Sequence, residues 1–357
     1  MAVSRKFVPK FPLAQIQAHP LAELCDKRLL QSIHTLYSNL PPATVQQVAV
    51  ALSGGVDSAA LALHMAVWAN ALNLPLHCFH VHHGLQDVAD QWSQHVQTLA
   101  HHLGASIHIE RVHVDLLSGT GIEAAARDAR YLAFQALCQR VGVHHLFVAH
   151  HQDDQAETVL LRLLRGSGPT GLGAMAPVSQ REGFTVLRPW LDMPRSLLLA
   201  VGEQLTQHLS WTPVQDGTNV NDDYTRGAVR ERLKPHLNER WPGWQKILTR
   251  HAKLSRDTAQ LLEEVAAEDL LRLDYRKRDH SFDLKAWREL SAARQAQVMR
   301  HWLALAGLKM PTEARLDDMM RQMRTLHALG FDRHMQVKHG EFYVICRQGR
   351  VILQQYA

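Results

Sequence analysis

Val48-Ala49-Val50-Ala51-Leu52-Ser53-Gly54-Gly55-Val56-Asp57-Ser58 decides how this chain folds. Its first five residues are a short apolar run with β-branched members, which predicts a buried strand. The run breaks at Ser53-Gly54-Gly55. It resumes as Asp57-Ser58-Ala59-Ala60-Leu61-Ala62-Leu63, which predicts a helix with small residues in its first turn. A strand that turns on two glycines into a helix N-terminus makes an anion site. Gly54 and Gly55 can take backbone angles closed to other residues and let an anion approach the main chain. The first N–H groups of the helix have no intrahelical partner and point at that anion. Ser53 and Ser58 add hydroxyl donors. Asp57 is the odd member, because a carboxylate repels a phosphate unless a divalent cation lies between them. It reads as a helix cap, an Mg2+ ligand, or both. The plainer alternative is a Gly-Gly turn with no ligand.

Around this stretch the chain is long enough, at 357 residues, for two domains. Hydrophobic residues make up 46% and charged residues 20%, which suits a sizeable core and excludes a disordered chain. Cys25, Cys78, Cys138 and Cys346 are scattered without metal or redox spacing, so a disulfide framework, a zinc site or a cysteine-held cluster is not expected. No apolar run reaches membrane-spanning length, and the basic start, residues 1–10, is not followed by an apolar signal core. A cytoplasmic protein with no membrane contact is expected. The formal charge of +5 fits a polyanionic partner. The 24 histidines occur singly and in pairs in many places, and most read as surface or structural.

Residues 21–40 carry a weak helical pattern that Pro41-Pro42 ends. From residue 45 to 151, strand and helix patterns alternate. Residues 74–83, 106–114 and 145–150 read as strands, and residues 87–103 and 121–141 as helices. Repeated βα units of this length predict a doubly wound parallel sheet with helices on both faces. In such sheets ligands lie beyond the carboxyl ends of the strands. Three strands end there in polar residues: Ser53, His82-His83-Gly84 and His150-His151.

The last of these leads into Gln152-Asp153-Asp154-Gln155-Ala156-Glu157-Thr158, where strand turns to helix. Acids in a first helical turn compensate its dipole and cap it. Yet two histidines, two aspartates and a glutamate exceed what capping needs. Asp154 and Glu157 share a helix face. Together they can hold the ammonium of an amine substrate, or Mg2+ carrying pyrophosphate. Arg127 and Arg130 also share a face, either as solvated charges or as ligands of phosphate. The segment 164–175 is glycine-rich and reads as a plain linker or a lid. Leu187-Arg188-Pro189-Trp190 looks like a short strand, residues 194–209 like a helix, and residues 215–230 like a turn-rich polar loop entering a helix.

The string Ser53–Ser58 resembles the PP-loop of the ATP pyrophosphatase superfamily and lacks the Walker and dinucleotide signatures. Taken in order with His83-Gly84-Leu85, Arg127 to Tyr131, His150 to Thr158, Arg165 to Met175, Leu187-Arg188-Pro189 and Asp216 to Arg230, it is similar to the tRNA(Ile)-lysidine synthetase family. That resemblance covers about residues 45–235. It implies ATP-dependent attachment of free L-lysine to the wobble cytidine of a tRNA(Ile) with a CAU anticodon. ATP adenylates the cytosine 2-oxygen, pyrophosphate leaves, the lysine amine attacks the ring carbon, and AMP leaves.

The resemblance implies that Ser53, Gly54, Gly55, Val56, Asp57 and Ser58 bind ATP, with Asp57 on Mg2+. Asp154 and Glu157 would hold or deprotonate the lysine amine, supported by Asp153, His150 and His151. Arg127, with Arg130 nearby, would face a phosphate or the lysine carboxylate. Asp57, Arg127, Asp154 and Glu157 are the expected catalytic set. Two positions depart from the family pattern: His82 stands where an acid is common, and Gly227 follows Arg226 where asparagine is usual.

Beyond residue 241 the pattern becomes mainly helical, with a long helix at 241–273, more helix through Trp287 and Val298 to Leu305, a helix at 311–329, and short strands near 335–337 and 342–345. Residues 224–302 hold 17 Lys and Arg against 11 Asp and Glu, a net of +6. That suits a tRNA, although a solvated helical surface has the same composition. The expected architecture is α/β: a doubly wound, Rossmann-like PP-loop domain over residues 1–235 and a helical α+β, tRNA-binding domain over residues 236–357. The resemblance also implies a homodimer. The rivals are another PP-loop enzyme, such as a tRNA thiolase or amide-forming synthetase, and a tRNA-binding protein without catalysis.

Overall fold

The computed structural model describes residues 11–40, 46–82, 89–113, 122–214, 225–326 and 335–355. The expectations for residues 1–10, Pro41-Pro42, His83-Gly84-Leu85 and the polar loop at 215–224 lie outside the described residues. The chain divides into two compact units, Met1–Lys253 and Leu254–Ala357.

In the first unit, α1 (Leu13–Gln17), a 3-10 turn (Ala22–Leu24) and α2 (Lys27–Ser38) precede β1 (Val48–Ala51). There follow α3 (Val56–Ala71), β2 (Leu76–His82), α4 (Ala89–His102), β3 (Ser106–Arg111), α5 (Ile122–Val141) and β4 (His145–Phe147). Next come α6 (Gln152–Leu164), α7 (Pro169–Leu172), β5 (Val178–Arg181), β6 (Phe184–Leu187) and α8 (Arg195–Leu209). Then α9 (Thr225–Ala228), a π-helical turn (Val229–Leu233) and α10 (Lys234–Arg240) form one continuous helical stretch.

The six strands lie in the order β3-β2-β1-β4-β6-β5. All neighbours are parallel except the edge strand β5, which pairs antiparallel with β6 across a turn at Gly183 (φ +83°). The doubly wound parallel sheet expected from the sequence is therefore present, with an antiparallel hairpin at one edge. The strand expected at 187–190 ends at Leu187, because Pro189 lacks the N–H that a ladder needs.

β1 is buried on both faces. Val48, Val50 and Leu52 enter one core with α2, α3, α4 and α8, and Ala49 enters the other with Phe134, Leu137 and Phe184. α3 is apolar all round, and Ala59 to Ala69 are buried throughout, so it is a core helix and not a surface one. Its Trp68 packs edge-on against Tyr37 with ring centroids 4.9 Å apart. β1 and β4 are neighbours, and the connections run to opposite sides of the sheet from them. This is a topological switch point, and it sets the two loops after β1 and β4 side by side.

α11 (Trp244–Arg272) spans the division between the units. The second unit continues with β7 (Phe282–Asp283), α12 (Leu284–Glu289), α13 (Ala292–Leu305), α14 (Glu313–Thr325), β8 (Gln336–His339), β9 (Phe342–Arg347) and β10 (Arg350–Gln355). Its antiparallel sheet has the order β7-β10-β9-β8. The core holds Phe282, Trp287, Trp302, Met319 and Met323. Asp269, almost wholly buried, is paired with Arg294 (Nε to Oδ2 2.6 Å). Among the described residues no helix is long and apolar enough to cross a membrane.

Two packing details generate tests. His64 is fully buried on α3. Its Nε2 accepts the Asp26 N–H at 3.0 Å, and its Nδ1 donates to Ala60 O at 2.8 Å, so both nitrogens are satisfied by the neutral ring. Burial pushes its pKa from 6.5 down to about 4. The folded value lies below the unfolded one, so the histidine's contribution is present above pH 6.5 and is lost as pH falls toward 4. Chemical denaturation should show a loss of about 2 kcal/mol from this group between pH 7.5 and 5, with a shallower fall in His64→Gln. Gly202 on α8 lies against Val56, where an added Cβ would come within 2.3 Å of Val56 Cγ2. Gly202→Ala should lower stability by about 1–3 kcal/mol in the same assay.

Candidate active site

The loop after β1 has the shape expected of an anion cradle. Gly54 has φ +96°, which favours glycine, and a Cβ there would crowd Val96 and Val214 at 3.3 Å. Its carbonyl accepts the Val214 N–H at 3.0 Å, which ties the loop to the segment after α8. Gly55 is the N-cap of α3 and supplies no side chain, so the N–H groups of the first turn are left for a ligand. Asp57 stands within the first turn; it is not the cap. Ser58 is buried. It accepts the Ser53 N–H at 3.1 Å and donates to Gly55 O at 2.9 Å, so its proton is used to shape the loop. Ser53, which is exposed, lies 3.0 Å from Ser58, hydroxyl to hydroxyl.

The loop after β4 carries the acids. His151 caps α6, and its N–H is accepted by Asp154 Oδ2 at 3.2 Å. Its Nε2 lies 3.4 Å from Asp154 Oδ2 and 3.6 Å from Asp57 Oδ2, so one imidazole joins the two loops. Burial disfavours the imidazolium, but Asp57, Asp154 and Asp153 outweigh it and raise the His151 pKa. Burial likewise opposes the Asp154 carboxylate. His151, its backbone N–H and Arg230 together hold it below the ordinary value. Asp154 therefore both caps the helix and faces the site, which joins the two readings of the sequence.

Glu157 does no capping. It is 1% exposed, its Oε1 accepts from Arg230 Nε at 2.8 Å, and its Oε2 has no hydrogen-bond partner. Arg230 Nη2 reaches Asp154 Oδ1 at 3.2 Å. Four residues on, Lys234 Nζ lies 2.6 Å from Asp153 Oδ2; four residues before, Arg226 donates to Thr158 Oγ1 at 3.2 Å. One helical stretch thus lays three cations along the first turns of α6. Arg195 at the start of α8 approaches Asp57 Oδ1 at 3.4 Å.

His150 accepts from Arg188 Nε at 3.3 Å, and burial lowers its pKa to about 4, so the ring is neutral. Arg188 also bonds Ala176 O, Ser179 and Tyr131. Arg127 is exposed on α5, 3.9 Å from Asp128, and makes no bond to the acids. Arg130 is exposed on the same helix. The glycine-rich segment is folded tightly onto α6. Arg162 donates to Gly171 O and Ala174 O, and Gln155 exchanges two hydrogen bonds with the Met175 backbone.

Arg188, Arg195, Arg230 and Lys234 are site residues to which the sequence reading gave no role. The 226–230–234 spacing was the available signal, since it repeats along one helix face. Among the described residues no group of three or more His, Cys, Asp or Glu could hold a metal unaided. Asp57 and Asp154, converging on one imidazole nitrogen, do suit a cation that takes one or two carboxylates and completes its shell with phosphate oxygens.

A family model described as a PP-loop domain matches residues 25–237, and one described as the TilS substrate binding domain matches residues 282–352. The tRNA(Ile)-lysidine synthase of Bordetella bronchiseptica is 49% identical over 338 residues, covering 94% of this chain and 96% of that protein. That of Bordetella pertussis is 50% identical over 316 residues, covering 87% and 97%. That of Ralstonia nicotianae is 42% identical over 288 residues, covering 80% of this chain and 60% of that longer protein. Among solved structures, the U34-tRNA thiolase NcsA from Methanococcus maripaludis shares the fold, with a TM-score of 0.51 and 16% identity over 64% of this chain and 78% of that one. Relatives this similar over nearly the whole length, with a PP-loop match spanning the sheet and both site loops, leave one conclusion: the chain belongs to the tRNA(Ile)-lysidine synthase family.

Proposed function

We propose that this chain ligates L-lysine to the wobble cytidine of CAU-anticodon tRNA(Ile), using ATP and releasing AMP and pyrophosphate. The observation that carries this reading is the buried Asp154–Glu157 pair joined to the phosphate loop through His151. An amine site and a nucleotide site side by side are what the two half-reactions need. The loop at Ser53, Gly54, Gly55 and Val56, with the first N–H groups of α3, binds the ATP phosphates. Mg2+, held by Asp57 and the phosphates, would offset the charge of the departing pyrophosphate. The cytosine 2-oxygen attacks the α-phosphorus, and the bond to pyrophosphate breaks. The lysine nitrogen then attacks ring carbon 2, and the bond from that carbon to the oxygen of AMP breaks.

Asp154 and Glu157 hold the lysine ammonium and take its proton. Glu157 Oε2, buried without a partner, is the acceptor open to it. His151 orders Asp154 and Asp57. Arg127 and Arg130 lie on a cationic face that suits a phosphate or the lysine carboxylate. Residues 1–235 would do the chemistry and residues 236–357 would hold the tRNA. The rival thiolase chemistry finds no support in the cysteines: Cys78 and Cys138 are buried, and burial raises both thiols to about 12.

Radiolabelled lysine, ATP and Mg2+ with a CAU tRNA(Ile) transcript should give labelled tRNA, and a tRNA(Met) control should give none. Label in neither, with ATP still cleaved beside another tRNA or metabolite, would discard lysidine formation. Asp154→Asn should cut incorporation by about a hundredfold or more while the chain still folds, as circular dichroism would show. Arg127→Ala should also abolish incorporation, and near-normal turnover in either variant would remove that residue's role.

A further inference from the structure

The chemistry proposed above needs an ammonium between Asp154 and Glu157, and a cation of the protein already stands there. Arg230 donates to Glu157 Oε1 at 2.8 Å and to Asp154 Oδ1 at 3.2 Å. It comes from the open side, since its side chain is 28% exposed where those of Asp154 and Glu157 are 13% and 2% exposed. A guanidinium and an ammonium compete for the same oxygens, and two cations on one small carboxylate pair repel. Arg230 sits on the π-helical turn, between α-helical stretches anchored to α6 through Arg226 and Lys234. Such turns are irregular points of a helix and recur at functional sites. Asp154, which Arg230 holds, shares the His151 imidazole with Asp57 of the phosphate loop, so a phosphate bound there brings new anionic oxygens near Arg230.

We propose that Arg230 is a displaceable occupant of the amine site, and that it leaves Asp154 and Glu157 for a phosphate group of a bound substrate. This rests on the reading of those two acids as the amine site. The planar guanidinium exchanges one set of anionic oxygens for another, which arginine does readily for carboxylate and phosphate. The carboxylates it leaves are buried and have lost their guanidinium partner, and so attract the lysine ammonium strongly. Lysine binding thereby waits for a phosphate ligand, and by reciprocity lysine strengthens the binding of that ligand. The phosphate belongs either to ATP or to the tRNA backbone, which offer the same oxygens.

The test is equilibrium binding of radiolabelled L-lysine to the full chain. It is run alone, with Mg2+ and a non-hydrolysable ATP analogue, and with the CAU tRNA transcript. In the wild type, lysine should bind about tenfold or more tightly in at least one of the two ligand arms, and the responding arm identifies the phosphate. Arg230→Met should bind lysine alone as tightly as the wild type does with its ligand, with no further gain. Arg230→Lys, which keeps a cation, should behave like the wild type. Wild-type binding indifferent to both ligands would overturn the proposal, and this measurement needs no variant. So would Arg230→Met or Arg230→Gln that unfolds normally yet binds lysine no more tightly than the wild type. Asp154→Asn and Glu157→Gln separate the two failures: retained lysine binding in both would remove the amine-site reading itself, whereas loss in both keeps it.

Discussion

Two carboxylates buried at the start of one helix set the terms for the rest of the catalytic unit. Asp154 and Glu157 would be costly in the protein interior without compensation. The fold supplies the His151 imidazole, the His151 N–H, the N-terminal end of α6 and the Arg230 guanidinium. Because His151 also faces Asp57, the compensation reaches the phosphate loop. The two loops meet because β1 and β4 are hydrogen-bonded neighbours, with Ala49 opposite Leu146 and Val50 opposite Phe147. Sheet register is thus the step between the apolar pattern of the chain and the spacing of its charges.

Much of this was legible in the sequence. The alternation of apolar runs and helical spacing predicted the parallel sheet, and Ser53 to Ser58 announced the turn that ends its central strand. What escaped was set by distant partners. Arg195, Arg230 and Lys234 received no role, because their partners Asp57, Asp154, Glu157 and Asp153 lie far away in the chain. The reading of Asp57 as a cap failed for a local reason, since Gly55 already takes the extended conformation from which α3 starts. The strands β5, β7 and β10 were missed. β5 is exposed at an edge, β7 has two residues, and β10 is recognised by its antiparallel pairing with β9.

The second unit shows why a charge count is a blunt guide to a binding face. Several of its arginines have structural work. Arg288 donates to the carbonyls of Met323 and Leu326 at the end of α14, Arg294 neutralises buried Asp269, and Arg350 joins Asp274 and Ser281. The positive excess over residues 224–302 locates basic character in the chain. Which cations are available to a polyanion is decided by these internal bonds.

The π-helical turn at Val229–Leu233 has a consequence for how the chain can vary in length. A regular α-helix advances about 100° per residue. Arg226, Arg230 and Lys234, spaced four residues apart through this turn, each find an oxygen on α6. Deleting one residue between Arg230 and Lys234 would break the four-residue spacing that sets these cations on one face. Arg226 would keep Thr158 while Lys234 lost Asp153. The number of residues in this short stretch is therefore as strongly constrained as their chemistry. An insertion or deletion that a surface helix would absorb would here cost the ion pairs with the acids facing it.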